Sequence, residues 1–477
     1  MAPDSENNDP QGPTQIPRGR TLDLRRLIGN LTQGTSETGK PDDSPESLGF
    51  MDNKVNRRRF LTVAAVAAAF GVGRLTKGDG EKKQDDDLEP ENASEPEPCP
   101  EPPKCPEVEP CPEPEVTQPT KEELEEEEAE SDEDRELVEN VRKSPETQEE
   151  LAKFLNVGGV ENPDVPNLRT KIAEGKTYLE KNFKKGTYNI AFLDPETGYI
   201  HVRTTQDKGV KRKKPHNGMN SRYIIKNHPD WIVVGNMTPR GTYYVPYSPP
   251  LDTPEVRKDG AEYMADTVFK ARDELAKKGV KSKVDKSKLL TELFSPELVA
   301  QLLLIEHIDR RPFLKALKSG DPDRIKAEYN KVIVVTGLNL EGTYAATPSK
   351  VGATGFAQFM PSTYNRNKHG GIVGGYPEAD LNPDFMDGMA DHVNAVMAQY
   401  CLLDDEINQA PKARAQRYLE KHSYAKKLYL AAAYNCSPSH VNKKIDQHGA
   451  NWRSKLPEET RIYLEKLEAV AALQQAN

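Results

Sequence analysis

A tract rich in proline and glutamate constrains most strongly what this chain can fold into. Its centre, residues 99–114, has the sequence CPEPPKCPEVEPCPEP, in which a hexad repeats. Proline fixes φ and has no N–H to donate, so the tract favours an extended, polyproline-like backbone. We therefore predict that residues 78–148 form an acidic, disordered linker and that ordered structure begins near residue 149.

Charge is distributed unevenly along the 477 residues. The whole chain carries a net charge of −10, but residues 81–135 alone contain 23 acidic and 5 basic residues, a net charge of −18. The remainder of the chain is therefore mildly basic, which suits a polyanionic partner. No nucleic-acid-binding motif accompanies this charge, so we expect no nucleic acid partner.

The five cysteines fall into two groups. Cys99, Cys105 and Cys111 lie in the linker, whereas Cys401 and Cys436 lie in the C-terminal part. In an oxidising compartment the linker cysteines are compatible with a disulfide-linked oligomer, and equally with unpaired thiols. No cysteine pair has the spacing of a zinc site, so we expect neither a metal nor another cofactor.

The N-terminal region contains a candidate targeting signal. Residues 1–55 are polar and are predicted to be disordered. Arg57 and Arg58 precede Phe60, Leu61 and an alanine-rich run, an order that resembles a twin-arginine signal. We expect residues 56–77 to be an export signal or membrane anchor, which would place the protein in the cell envelope, held at the cytoplasmic membrane. The alternative is a buried alanine-rich helix in a cytoplasmic protein.

Residues 149–285 combine helix and strand signals. A helix is predicted over residues 167–182. Strand patterns follow at residues 188–193, 199–203, 231–235 and 243–247, with a turn at residues 194–198. We predict a small α+β accessory module, which either binds a partner or plays a purely structural part.

Residues 286–477 have the pattern of a mainly α domain. Ser295, Pro296 and Glu297 are typical of a helix N-terminus, and the apolar helix that follows is predicted to stop near Arg311 and Pro312. A second helix is predicted to open at residues 382–385 and to run to Tyr400. Further helices are predicted over residues 413–421, 424–434 and 458–473.

Three motifs occur in order within this domain: VGATGFAQFMPSTY at residues 351–364, AAAYNCSPSHV at 431–441 and LPEETRIYL at 456–464. They resemble the soluble, goose-lysozyme-like type of lytic transglycosylase domain, in which G-A-x-G-L-M-Q-x-M-P-x-T, A-A-Y-N-A-G and L-P-x-E-T-x-x-Y segments follow one another. The resemblance implies a lysozyme-like fold for residues 286–477. It says nothing about the rest of the chain.

The resemblance also implies an activity. Members of the family are peptidoglycan lytic transglycosylases, lyases that cleave the MurNAc-β-1,4-GlcNAc bonds of cell-wall glycan strands. A single glutamate acts as acid and base, and the products carry 1,6-anhydro-muramoyl ends. His307 and Cys436 depart from the family pattern. A non-catalytic peptidoglycan-binding scaffold and a hydrolytic goose-type muramidase therefore remain alternatives.

Two glutamates compete for the catalytic position. Glu306 ends an apolar helix, where burial would raise its pKa and allow it to act as an acid near neutral pH. It precedes Gly352 by 46 residues, which requires an insertion relative to the family. Glu341 precedes Gly352 by 11 residues, close to the family spacing, but lies in a loop-like segment. We expect Glu306 to be the catalyst and keep Glu341 as the alternative.

The resemblance further implies a substrate-binding groove lined by five residues: Ser349, Gln358, Met360, Tyr434 and Asn435. The Tyr434 hydroxyl is expected near the catalytic carboxyl, and Asn435 is expected to hold a sugar or a backbone carbonyl. Tyr463 is expected to pack the last helix and to border the groove.

Overall fold

The computed structural model describes residues 144–159, 165–212, 223–344, 349, 352–365, 371–410 and 423–475. The predicted disordered segment, export signal and linker lie outside these residues, except for the last few linker positions, and so does the helix predicted over residues 413–421. Within the described residues, no helix combines the length and apolar character that crossing a bilayer requires.

The N-terminal part of the described chain is a small antiparallel sheet flanked by helices. Its elements are α1 (Gln148–Leu155), α2 (Leu168–Lys181), β1 (Asn189–Leu193), β2 (Ile200–Thr204), β3 (Val210–Arg212), β4 (Tyr223–Ile225), β5 (Ile232–Met237) and β6 (Tyr243–Tyr244). Four strands form one sheet in the order β2-β1-β5-β6, and β3 pairs with β4. The predicted helix and strands are thus present with bounds that differ by a few residues at most.

Helices dominate the rest of the described chain. They are α3 (Pro254–Lys277), α4 (Pro296–His307), α5 (Arg310–Ser319), α6 (Pro322–Asn339), α7 (Pro361–Tyr364), α8 (Gly371–Gly375), α9 (Phe385–Ala390), α10 (His392–Asn408), α11 (Ser423–Cys436), α12 (Pro438–His448) and α13 (Glu458–Gln475). The prediction of a mainly α C-terminal part preceded by a small α+β part is therefore confirmed at this level.

Helix α3 was not predicted, and it joins the two parts. It packs against α6 at a crossing where Gly260 meets Gly337, and a Cβ atom on either glycine would overlap with the backbone of the other helix. On the far side of this crossing, the Asn339 side chain bonds both the N–H (2.7 Å) and the C=O (2.9 Å) of Val245, directly after β6. The core therefore continues across the predicted boundary at residues 285–286.

Two predicted helix bounds were wrong for local reasons. Helix α4 ends at His307, and Pro312 lies in the first turn of α5, a position that needs no N–H donor. The helix predicted to open near residue 382 is two helices, α9 and α10. Between them Asp391 has an extended backbone, and its side chain accepts bonds from the N–H groups of Val393 and Asn394. This capping bond ends one helix and starts the next.

Candidate functional site

Glu306 lies in the last turn of α4, a helix that is buried almost all round. Ten of its 12 residues are buried, which is typical of a central core helix. The Ser295 hydroxyl caps its N-terminus by accepting a bond from Leu298 N at 3.2 Å, as predicted. Packing in the core thus fixes the position of α4, and Glu306 lies in its last turn at a partly exposed position.

The carboxyl of Glu306 has one hydroxyl donor in the described structure, because Tyr463 Oη donates a 2.7 Å hydrogen bond to Glu306 Oε1. Burial raises the pKa of Glu306 from 4.5 to about 7, while the Tyr463 bond and the Lys466 charge lower it and the Glu459 charge raises it slightly. The carboxyl therefore exchanges its proton near neutral pH, as a group acting both as acid and as base must.

Lys466 lies one turn beyond Tyr463 on α13 and contacts the end of the Glu306 helix. Its Nζ donates to Ile308 O at 2.6 Å and to Ile305 O at 3.2 Å, two carbonyls at the C-terminus of α4. Burial lowers the pKa of Lys466 to about 8, although the Glu306 charge acts in the opposite direction. A cation at a helix C-terminus is favoured by the unsatisfied carbonyls and the helix dipole.

The glycine-containing motif forms a compact turn beside α4. Thr354 and Phe359 exchange backbone bonds of 2.9 and 3.0 Å, which closes the turn. Gly355 has φ +80°, and a Cβ atom there would lie 2.5 Å from Met389 O, so only glycine fits. Gln358 also has a positive φ (52°), and its side-chain Nε2 donates to Gly355 O at 2.8 Å.

Two side chains attach this turn to the elements around Glu306. His307 Nε2 lies 2.7 Å from Phe356 O, and Tyr434 Oη donates to the next carbonyl, Ala357 O, at 2.6 Å. Burial lowers the pKa of His307 to about 3, so its ring is neutral and Nε2–H is the donor to Phe356. The two bonds hold the motif against the last turn of α4 on one side and against α11 on the other.

His307 also belongs to a column of stacked rings behind the turn. It stacks on Tyr344 with ring centres 3.5 Å apart, and Phe356 stacks on His392 at 4.7 Å. His392 in turn bonds Tyr263 Oη (2.8 Å) and Thr343 O (2.7 Å). The departure at position 307 is thus built into the packing, which explains how a large ring can follow the glutamate in this chain.

The alternative catalyst, Glu341, lies in a different setting. It belongs to the 3₁₀ turn Leu340–Gly342 after α6 and is exposed. Glu306 and the glycine motif are 46 residues apart in sequence, and most of the chain between them forms α5 and α6. These two helices separate Glu306 from the motif in sequence, while the bond from His307 to Phe356 O keeps the end of α4 and the motif together in space.

The predicted groove residues have mixed surroundings. Ser349 Oγ accepts a bond from Ala353 N at 3.0 Å, and Met360 directly precedes the short helix α7 without a side-chain capping bond. Asn435 Oδ1 accepts a bond from Thr460 Oγ1 at 2.9 Å, which joins α11 to α13. All three residues are partly exposed. The bonds of Ser349 and Asn435 stabilise the turn and the packing of α11 against α13.

The hydroxyl bonded to Glu306 is that of Tyr463, whereas the resemblance places the Tyr434 hydroxyl near the carboxyl. The Tyr434 hydroxyl bonds Ala357 O instead, and burial and then the Glu306 charge raise the pKa of Tyr434 well above the usual range. Lys466 was missed altogether. Its position three residues after Tyr463, on the same face of a helix, is the one sequence signal that would have identified it.

No cluster of three or more histidine, cysteine or acidic side chains in the described part of the chain has the geometry to hold a metal ion. Cys401 is a buried free thiol, and Cys436, next to Asn435, is partly exposed.

A separate groove of about 680 Å³ lies in the α+β part, between the start of α2, the end of β1 and the start of β5. Trp231 lines it and stacks against His201 and His228 with ring centres 4.2 and 4.1 Å away. None of the predicted site residues lines this groove, so it is distinct from the surroundings of Glu306.

No model of a known protein family matches this chain, and no curated protein or solved structure matches it either.

Proposed function

We propose that this chain is a peptidoglycan lytic transglycosylase and that Glu306 is its single acid/base catalyst. The observation that carries the proposal is the setting of Glu306: a partly exposed carboxyl with a pKa raised to about 7, held by Tyr463. The three motifs that carry the resemblance also meet around it. The glycine motif is bonded to His307 and Tyr434, and the third motif supplies Tyr463.

The first step requires a proton. Protonated Glu306 donates it to the oxygen of the MurNAc-β-1,4-GlcNAc bond, so that the bond from the muramoyl C1 to this oxygen breaks and the GlcNAc part leaves with a hydroxyl. A carboxyl with an ordinary pKa is ionised at neutral pH and has no proton to give. Burial at the end of α4 is what keeps Glu306 protonated in a useful fraction of molecules.

The second step returns the proton. The Glu306 carboxylate takes it from the 6-hydroxyl of the muramoyl ring, whose oxygen forms the new bond to C1 and gives the 1,6-anhydro product. No water is consumed and Glu306 ends as it began. Tyr463 and Lys466 stabilise the carboxylate present between the two steps, through a hydrogen bond and a charge.

We place the activity in the cell envelope. Residues 56–77 would export the chain or anchor it in the cytoplasmic membrane, and residues 78–148 would act as an extended spacer whose proline content and charge keep it open. Glycan strands would then lie within reach of the tethered catalytic part. Replacement of Arg57 and Arg58 by lysine should block export by the twin-arginine route, and normal export of that variant would contradict this route.

The deciding experiment is digestion of purified peptidoglycan by the full chain, with the products identified by mass spectrometry. We expect anhydro-muramoyl ends, lighter than hydrolysis products by the mass of one water molecule, and no products from Glu306→Gln. Reducing ends would instead indicate a goose-type muramidase. Binding to the wall without any product would indicate a non-catalytic scaffold, and either result would overturn the proposal.

A further inference from the structure

The C-terminal helix α13 holds the end of α4 with two side chains from consecutive turns. Tyr463 bonds the Glu306 carboxyl itself, and Lys466 bonds the backbone carbonyls of Ile305 and Ile308, one residue before and two residues after it. Lys466 is buried, with 8% of its surface exposed. Burial of an ammonium group is costly unless it is paired and hydrogen-bonded, so its place at this helix end needs a reason.

We propose that Lys466 is a positioning residue, which fixes the last turn of α4 through the two carbonyls and stabilises the carboxylate form of Glu306 by its charge. A catalytic role for Lys466 rests on the proposed function. The electrostatic coupling between Lys466 and Glu306 does not depend on any activity.

The charged and titratable groups around this pair come from several elements. Helix α13 brings Glu459 as well as Tyr463, and helix α11 brings Tyr434, whose pKa the Glu306 charge helps to raise. Asp309 and Arg310, just beyond α4, act on Lys466 with opposite signs. Lys466 is the one cation whose charge acts appreciably on Glu306 within the described structure. After the Tyr463 hydrogen bond, its charge is the second influence that opposes the effect of burial when the Glu306 carboxyl ionises.

The role has a chemical reason. A buried carboxyl without a nearby cation would hold its proton so tightly that it could not serve as a base in the second step. A strong salt bridge would have the opposite fault, because it would leave no proton for the first step. Lys466 donates to backbone carbonyls and lowers the pKa of Glu306 only in part, so that it remains near 7.

The test compares Lys466→Met with Lys466→Arg and with a matched control, Lys427→Met. Lys427 Nζ lies 3.4 Å from Glu297 Oε1 in the first turn of the same helix α4, so its loss removes a partly buried lysine contact at the opposite end. The readouts are an NMR titration of ¹³C-labelled glutamate carboxyls, with Glu306 assigned by comparison with Glu306→Gln, and the pH profile of glycan cleavage.

We expect Lys466→Met to move the Glu306 midpoint upward by about one pH unit, and the alkaline limb of the cleavage profile with it. In Lys466→Arg and in Lys427→Met, the Glu306 midpoint and the alkaline limb should both stay at their wild-type pH. An unchanged midpoint in Lys466→Met, or an equal shift in Lys427→Met, would overturn the proposal. If the wild-type chain cleaves no glycan, the proposed function fails while the titration still decides the coupling.

A second measurement tests the same coupling without changing Lys466, in case the Lys466 variants do not fold. Coupling between two charged groups is reciprocal. Loss of the Lys466 charge should raise the pKa of Glu306, and loss of the Glu306 charge should lower the pKa of Lys466 by the same amount. NMR titration of the Lys466 side chain in Glu306→Gln should show this fall. A Lys466 pKa equal to that of the wild type would refute the coupling.

Discussion

Glu306 and Glu406 are two glutamates of the helical region with raised pKa values and different surroundings. Glu406, on α10, is 3% exposed, and its Oε2 has no hydrogen-bond partner in the described part of the chain. Burial and then the adjacent charge of Asp405 raise its pKa well above the usual range. Glu306 is partly exposed, accepts a bond from Tyr463 and lies near the cation Lys466.

The two glutamates show that burial of a carboxyl is not enough for an acid/base role. Burial raises proton affinity at both positions, but Glu406 has neither access to a ligand nor a described group that would stabilise its carboxylate. It is a carboxyl kept neutral by its surroundings. Glu306 is a partly exposed residue, and two groups stabilise its charged form, so we expect it to be deprotonated and reprotonated during a reaction. A raised pKa alone would have selected both residues.

The largest expected effect tests this difference directly. Glu306→Gln preserves shape and removes the proton, so glycan cleavage should fall by about 10²–10⁴-fold or more. Glu406→Gln and Glu341→Gln should stay within about twofold of the wild type, since neither places a group on the substrate. Rates of release of anhydro-muramoyl products measure all three. Loss of activity in Glu341→Gln with activity retained in Glu306→Gln would move the catalytic site.

Stability against pH gives the next largest effect. When the pKa of a carboxyl is raised in the folded state, its contribution to the free energy of unfolding is fully present below its unfolded pKa, here 4.5. That contribution is lost as the pH rises through the folded pKa. For Glu306 this window runs from 4.5 to about 7, and the loss amounts to about 3 kcal/mol at most. Glu306→Gln should therefore be more stable than the wild type at pH 8 and similar to it at pH 4.

The same measurement sharpens the comparison at Glu406. Burial and then the Asp405 charge raise its folded pKa as well, so its contribution to the free energy of unfolding is likewise lost as the pH rises above 4.5. Urea denaturation of the wild type, Glu306→Gln and Glu406→Gln from pH 4 to pH 9 would reveal both. A stability difference that does not vary with pH would show that the carboxyl in question ionises in the folded chain as it does in the unfolded one.

Tyr463→Phe should have a smaller effect. It removes a hydrogen bond to a charged group, worth about 1.5 kcal/mol, and so should lower glycan cleavage about tenfold. Because this bond lowers the pKa of Glu306, the alkaline limb of the pH profile should move upward. Tyr434→Phe is the matched control, since its hydroxyl bonds Ala357 O instead, and the limb should not move. Equal shifts in both variants would contradict the assignment of the donor.

Glu459→Gln should give the smallest change, with the opposite sign. The Glu459 charge raises the pKa of Glu306, so its removal should lower the midpoint by less than about half a pH unit, because Glu459 is exposed and solvent screens its charge. Added salt should reduce the shift further. A shift that persists unchanged in high salt would mean that Glu459 acts on Glu306 through a contact rather than through solvent.

Several local elements could be predicted from the sequence because their causes are local. Ser295 and Pro296 begin α4 where predicted, and the alternation of residues 188–203 produced the β1–β2 hairpin with only small changes in bounds. The break at Asp391 and the long helix α3 were missed. The first depends on a capping bond made by one side chain. The second has a buried face at helical spacing, but much of that face is glycine and alanine, which gives a weak apolar pattern in the sequence.

The sequence by itself determined where several of the helices and strands lie, which residues form the three motifs, and that Glu306 ends an apolar helix. Only the tertiary structure decided what surrounds that carboxyl. Tyr463 is 157 residues away in sequence, and Lys466 reaches the carbonyls of Ile305 and Ile308 across a comparable separation. Helix capping and strand alternation depend on neighbours along the chain. The proton affinity of Glu306 depends on desolvation and on donors and charges that only folding brings together.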